Sequence, residues 1–152
     1  MEHGGVARDN ETRDRFGAFL PIQTRWADMD SYGHVNNMVF YSYIDTAVTA
    51  FLVREAGHDK DIAAAIGLVV ESGCSYFEPV AFPAVIHCGV RVAKLGRSSV
   101  RYEVGMFVDD ATLPAALGFF VHVFVERASG RPMPMPDRIR AALAPLQLIC
   151  GD

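Results

Sequence analysis

Positions 28 to 37 read Asp-Met-Asp-Ser-Tyr-Gly-His-Val-Asn-Asn, which places two carboxylates, an imidazole and two amides in one short stretch. Asn36 or Asn37 can cap a helix that runs to about Ala56, with Arg54 in its last turn and Gly57 as the stop. Asp30 then stands just before a helix N-terminus, where main-chain N–H groups lack intrahelical partners and the macrodipole is positive. A carboxylate with a reference pKa of about 3.9 is ionised at neutral pH, so it can activate a water or attack a carbonyl carbon. The carbonyl oxygen would meet the helix amides. The same residue types also build turns, and spacing alone leaves open that Asp28, Asp30 and Gly33 only shape the loop. His34 can either polarise a bound carbonyl or hold the turn. No further His or carboxylate with ligand spacing lies nearby, so no metal is expected.

A second cluster is Lys94-Leu95-Gly96-Arg97-Ser98-Ser99, preceded by Arg91. Cations, free glycine amides and hydroxyls suit a phosphate, and they equally suit a solvated hairpin tip. Glu71, Ser72 and Glu78 fall on a strand expected to pass near the helix, and Glu71 can simply be exposed at an edge. Tyr41 and Tyr43 read as packing residues.

The elements that must position these groups follow from periodicity. Met1 to Gly17 is polar and aperiodic and reads as a disordered tail. Leu20, Ile22, Thr24 and Trp26 alternate as the inward side of a strand over 19–26. After the helix, strands are expected over 68–77, 84–93, 98–108 and 115–125, with 94–97 as a hairpin turn. The last strand is apolar on both faces, which calls for a second cover and points to oligomerisation. Residues 131–136 are extended by their prolines, and Asp137 can cap a short helix through Leu143. The fold class is therefore α+β, a five-stranded antiparallel sheet wrapped around one long central helix. It occupies residues 18–145, between tails at 1–17 and 146–152.

Composition narrows the function classes. The 152 residues are 51% hydrophobic and 21% charged, with a formal net charge of −4, which fits one globular domain and disfavours nucleic acid as a partner. The uncharged run 111–125 is too short for a membrane span and contains Pro114 and His122. No secretory leader is read, so the cytoplasm is the expected location. Cys74, Cys88 and Cys150 are odd in number and without C-x-x-C spacing, as expected of reduced thiols.

The stretch Arg25 to Asn37, opening a helix with Phe40-Tyr41 in its first turns, resembles the signature of hotdog-fold thioesterases of the 4-hydroxybenzoyl-CoA thioesterase family. It is also similar to the loop of the plant acyl carrier protein thioesterases. Lys94 to Ser99 and the run from Gly130 through Pro136 match more weakly, and the resemblance spans about Phe19 to Leu143. It implies an acyl-CoA thioesterase that releases a carboxylic acid and CoA without metal or redox cofactor. By this resemblance Asp30 is the catalytic base or nucleophile, the Asn37 backbone amide polarises the carbonyl, Asp28 supports the loop, and His34 joins the site. Lys94, Gly96, Arg97 and Ser98 contact the phosphates and pantetheine of CoA. A homodimer or a homotetramer built as a dimer of dimers, with sites shared between subunits, is also implied. A thiol leaving group, with a pKa of about 8.5, needs no strong general acid. The plant enzymes carry Asn two residues beyond the Asp. Tyr32 stands there in this chain, a departure from the plant Asp/Asn/His arrangement. Two alternatives remain at this point, an acyl carrier protein thioesterase and a non-catalytic acyl-CoA-binding protein. The acyl group is not legible in the sequence.

Overall fold

The structure is a computed structural model that describes residues 8–57 and 60–147. Five strands, β1 (Ala18–Gln23), β2 (Ala65–Tyr76), β3 (Val85–Leu95), β4 (Ser99–Val108) and β5 (Ala116–Glu126), form one sheet in the order β1-β3-β4-β5-β2. Every neighbouring pair is antiparallel. The long helix α1 (Asn37–Ala56) lies across the sheet, with the short helix α3 (Asp137–Leu143) packed beside it and α2 (Lys60–Ala63) against β2. This is the expected hotdog arrangement.

The sequence pattern explains the layers. Ile86, Cys88, Val90 and Val92 of β3 and Val100, Tyr102, Val104 and Met106 of β4 alternate inward and are fully buried. Against them α1 buries Phe40, Tyr43, Ile44, Ala47 and Val48, spaced i, i+3, i+4, i+7, i+8 as one helical stripe. Each large side chain buried in this way contributes about 1.5–3 kcal/mol. Asn36 caps α1 by accepting the Met38 N–H, and Gly57 ends it at a φ of 77°. Met38, Tyr41 and Val53 stay exposed, so a single chain covers only one side of the helix. No helix among the described residues is long and apolar enough to cross a membrane.

Three expectations change. Trp26 does not continue β1 inward: Thr24 turns its N–H and hydroxyl onto the Ala84 carbonyl, a 3-10 turn follows, and Trp26 is 75% exposed. The helix α3 has Pro136, and not Asp137, in the capping position. Both segments expected as tails give residues to the domain. Leu146 is buried and Gln147 bridges to Val92, while 148–152, with Cys150, lie outside the described residues.

At the other end, residues 8–17 are laid over the outer face of the sheet instead of forming a tail. The paired glycines Gly89 and Gly105 leave a notch there: a Cβ on Gly89 would stand 2.8 Å from Phe16 Cβ, and one on Gly105 2.7 Å from Phe16 Cζ. Phe16 fills it, packed edge-on to Phe107, with the Arg91 guanidinium over its ring at 4.4 Å. Arg91 pairs in turn with Glu11 (2.5 Å) and Glu103 (3.0 Å), and this buried cation is matched by two carboxylates. Phe16, Phe107, Leu117 and Phe77 form a second small core. Part of the second apolar face of β5 is thus covered by the chain itself.

The two sheet edges differ. β1 has six residues and carries Pro21, which blunts it as a pairing edge. β2 has twelve residues and no proline, with Leu68, Val69 and Val70 exposed. Glu71 is exposed on this edge, beside a register shift between Val69 and Glu71.

Candidate functional site

The loop before α1 is built around Asp28. Its buried carboxylate accepts from Arg25 Nε (3.0 Å), Arg25 Nη2 (2.6 Å) and the Arg25 main-chain N–H (3.1 Å). The hydrogen bond from the Arg25 side chain, opposed by burial, holds the Asp28 carboxyl below its usual range. The Asp28 carbonyl then accepts the Asn36 N–H at 2.9 Å, which fixes the capping residue. Asp28 supports the loop, as expected.

Asp30 folds the next turn onto itself. Its N–H donates to the His34 carbonyl (2.8 Å), and its Oδ1 accepts the N–H groups of Tyr32 (2.9 Å) and His34 (3.3 Å). Gly33 closes the turn at a φ of 79°, where an L side chain would be strained. Oδ1 therefore serves the turn, while Oδ2 forms no hydrogen bond among the described residues. One oxygen of the carboxylate thus shapes the turn and the other takes no part in it.

The helix terminus supplies the complement. The Met38 N–H goes to Asn36 Oδ1 and the Val39 N–H to the Asn36 carbonyl, which leaves the Asn37 N–H undonated in the first turn. Asp30, His34 and Asn37 line one open cavity of about 380 Å³, together with Val35, Phe40 and residues 76–80. Three of the expected catalytic residues are thus brought together. The His34 imidazole is exposed.

The strand expected to pass near the helix does so, with Glu78 just past its end in the cavity wall 76–80, but the ties of that wall to the helix and its loop were not expected from sequence. Tyr76 donates its hydroxyl to the Asn37 carbonyl at 2.9 Å and packs edge-on against Phe40, and the Val35 N–H donates to the Val80 carbonyl at 2.7 Å. Burial pushes the Tyr76 phenol well above its usual range, so it remains a donor at neutral pH. A tyrosine at the end of a strand carries no local sequence signal for such a tie. Among the described residues no three His, Cys, Asp or Glu side chains cluster to hold a metal.

The hairpin lies elsewhere. Lys94 and Arg97 are exposed, and the Gly96 N–H donates to the Ser99 carbonyl. Arg140, which sequence reasoning missed, donates Nη2 to the carbonyls of Gly96 (2.7 Å) and Arg97 (3.1 Å), and the Ser98 carbonyl accepts from Phe124. Ser99 pairs with Val123, whereas Met106 pairs with Ala116 and Ala116 with Tyr76. Hairpin and cavity therefore sit at opposite ends of β4, roughly 23 Å apart at the usual rise per strand residue. One chain does not bring Lys94, Gly96, Arg97 and Ser98 to Asp30.

Comparison with known proteins places this arrangement. Residues 24–143 match the thioesterase-like superfamily. The PA5185 protein of Pseudomonas aeruginosa strain PAO1 is 50% identical, over 92% of this chain and 98% of that one, with a TM-score of 0.87. A thioesterase from Thermus thermophilus, crystallised with coenzyme A and Zn, is 33% identical over 88% and 96% of the two chains, at a TM-score of 0.71. A DHNA-CoA thioesterase from Staphylococcus aureus, 16% identical over 87% and 98%, shares the fold at 0.73. No curated protein sequence matches. The chain belongs to the thioesterase-like superfamily, and it is a thioester hydrolase.

Proposed function

We propose that the protein hydrolyses acyl-CoA, taking up one water to release a carboxylic acid and the CoA thiol. The observation that carries this reading is that Asp30, with its Oδ2 unbonded, and Asn37, with its N–H undonated, line one cavity. In the proposed reaction the thioester oxygen rests on the Asn37 amide at the positive end of α1, where developing negative charge is stabilised. Asp30 either takes a proton from the attacking water, or attacks the carbonyl carbon itself to form an anhydride that the water then cleaves, releasing the acid and restoring the Asp30 carboxylate. The sulfur leaves as a thiolate and recovers a proton from solvent. His34, on the same cavity, holds the loop through its backbone, and in this reading its imidazole orients the acyl carbonyl.

The CoA moiety is assigned to Lys94, Gly96, Arg97 and Ser98 of a second copy. β2 offers a long edge without proline and with exposed aliphatic residues, the kind of edge that pairs unless it is covered. Pairing two β2 strands antiparallel about a two-fold axis sets the second copy's Ala65 end against this chain's Tyr76 end. Its hairpin, near the same end of the sheet as Leu68, then approaches this chain's cavity. The homodimer accounts for two functional clusters that one chain keeps apart. Further pairing into a dimer of dimers would use other faces.

The test is thiol release from aromatic, short-chain and long-chain acyl-CoAs by the purified protein, with mass measured by light scattering. Turnover of at least one series by a dimer or larger assembly is expected. Full activity from a monomer, or no turnover of any acyl-CoA, contradicts the reading.

A further inference from the structure

The cavity wall contains a second carboxylate, Glu78, with about half of its side chain open to solvent. Two carboxylates at the mouth of one cavity oppose an anionic substrate, because like charges raise the cost of binding there. Arg8 answers this charge. Its Nη2 lies 2.6 Å from Glu78 Oε1, its Nε donates to the Pro114 carbonyl at 3.0 Å, and its guanidinium stands over the Phe77 ring at 5.7 Å. Phe77 and Glu78 also share the Ala115 carbonyl through their N–H groups, so this stretch of the wall is held from two sides.

The position of Arg8 is set from behind. Its carbonyl accepts the Glu11 N–H at 2.9 Å; Glu11 is locked to buried Arg91, and Phe16 plugs the notch over Gly89 and Gly105. The segment crossing the outer face of the sheet thus has its first described residue at the rim of the site on the far edge.

We infer that Arg8 is a charge-setting residue of the active site, neutralising Glu78 so that the mouth admits an anionic thioester. The inference rests on the acyl-CoA reading and adds to it a residue from the N-terminal segment. An ion pair open to solvent on its carboxylate side contributes little to stability, so the consequence of this one lies in the field at the mouth.

The charge reading assigns opposite signs to the two partners. Arg8→Ala leaves Glu78 bare and should raise KM for acyl-CoA by about three- to fivefold, the scale of one poorly screened surface charge. Glu78→Gln leaves the guanidinium unopposed and should lower KM. The double variant should return to near the wild-type value, Arg8→Lys should stay close to it, and kcat should change little throughout. Arg13→Ala is the control: it lies in the same segment but donates to the Asp109 and Ala111 carbonyls, and should leave KM unchanged. On an uncharged acyl-N-acetylcysteamine thioester all these differences should vanish.

If both single variants raise KM, or if the neutral thioester shows the same changes as acyl-CoA, the pair is only scaffold and the inference falls while the acyl-CoA reading stands. No turnover of acyl-CoA by the wild type overturns that reading, and this inference with it.

Discussion

The Tyr76 hydroxyl donates to the Asn37 carbonyl at 2.9 Å, so the last residue of β2 holds the first residue of α1. In the proposed mechanism the Asn37 N–H takes the thioester oxygen, and the tie to Tyr76 steadies the residue that carries it through the carbonyl of the following peptide. Tyr76→Phe removes one hydrogen bond, worth about 1 kcal/mol, and leaves the ring against Phe40. With the amide less firmly aimed, kcat should fall about three- to tenfold while KM moves less. Steady-state kinetics beside a melting curve check this; an unchanged kcat would make the tie structural only.

A proline can remove the Asn37 amide itself. Asn36 is already extended, with φ −60° and ψ 140°, as the residue before proline prefers, and proline is well tolerated at the first helical position. Asn37→Pro should keep the fold and lower kcat by about a hundred- to a thousandfold, the usual loss for one oxyanion donor. Asn37→Ala keeps the amide, and the effect is read as the ratio of kcat between the two variants. A ratio near one would remove the amide from the mechanism.

His122 makes stability depend on pH. It is buried among Tyr102, Phe120 and Phe124, and its Nδ1 has no hydrogen-bond partner among the described residues. Burial lowers its pKa from 6.5 to about 4, with Asp45 acting weakly the other way. The folded state resists protonation more than the unfolded chain does. Stability is therefore full above the unfolded value of about 6.5 and is lost as pH falls from there through the folded value, by about 3 kcal/mol in all. Urea unfolding at pH 7.5 and pH 4.5 should show this loss in the wild type and a smaller one in His122→Leu. Equal losses in the two proteins would place the acid sensitivity elsewhere.

What was legible in the sequence is what local chemistry decides. The Asn36 cap and Gly57 stop bound α1 because each acts within a few residues, and the inward alternation of β3 and β4 shows as a period of two. Trp26 fits that period in β1 and still leaves the strand, because Thr24 is captured by Ala84, which lies 60 positions on. The N-terminal segment looks too polar to fold by itself. It is ordered by a notch and an arginine supplied from β3 and β4, which only the tertiary structure brings beneath it. Tyr76 and Arg140 act through main-chain carbonyls far away in sequence, and such carbonyls have no signature. Residue spacing placed Asp30 at the start of α1, but it did not reveal that the hairpin lies at the opposite end of the sheet.

The proposed chemistry turns on Asp30, and Asp30→Asn isolates the charge, because an amide oxygen can still accept the Tyr32 and His34 N–H groups that shape the turn. The most direct measurement is kcat of Asp30→Asn on the best acyl-CoA substrate, with the melting temperature measured alongside. A fall of at least about a hundredfold at an essentially unchanged melting temperature is predicted, the scale expected for loss of a general base or nucleophile. Activity within about threefold of the wild type, on the scale where a lost general base costs far more, would contradict the assignment.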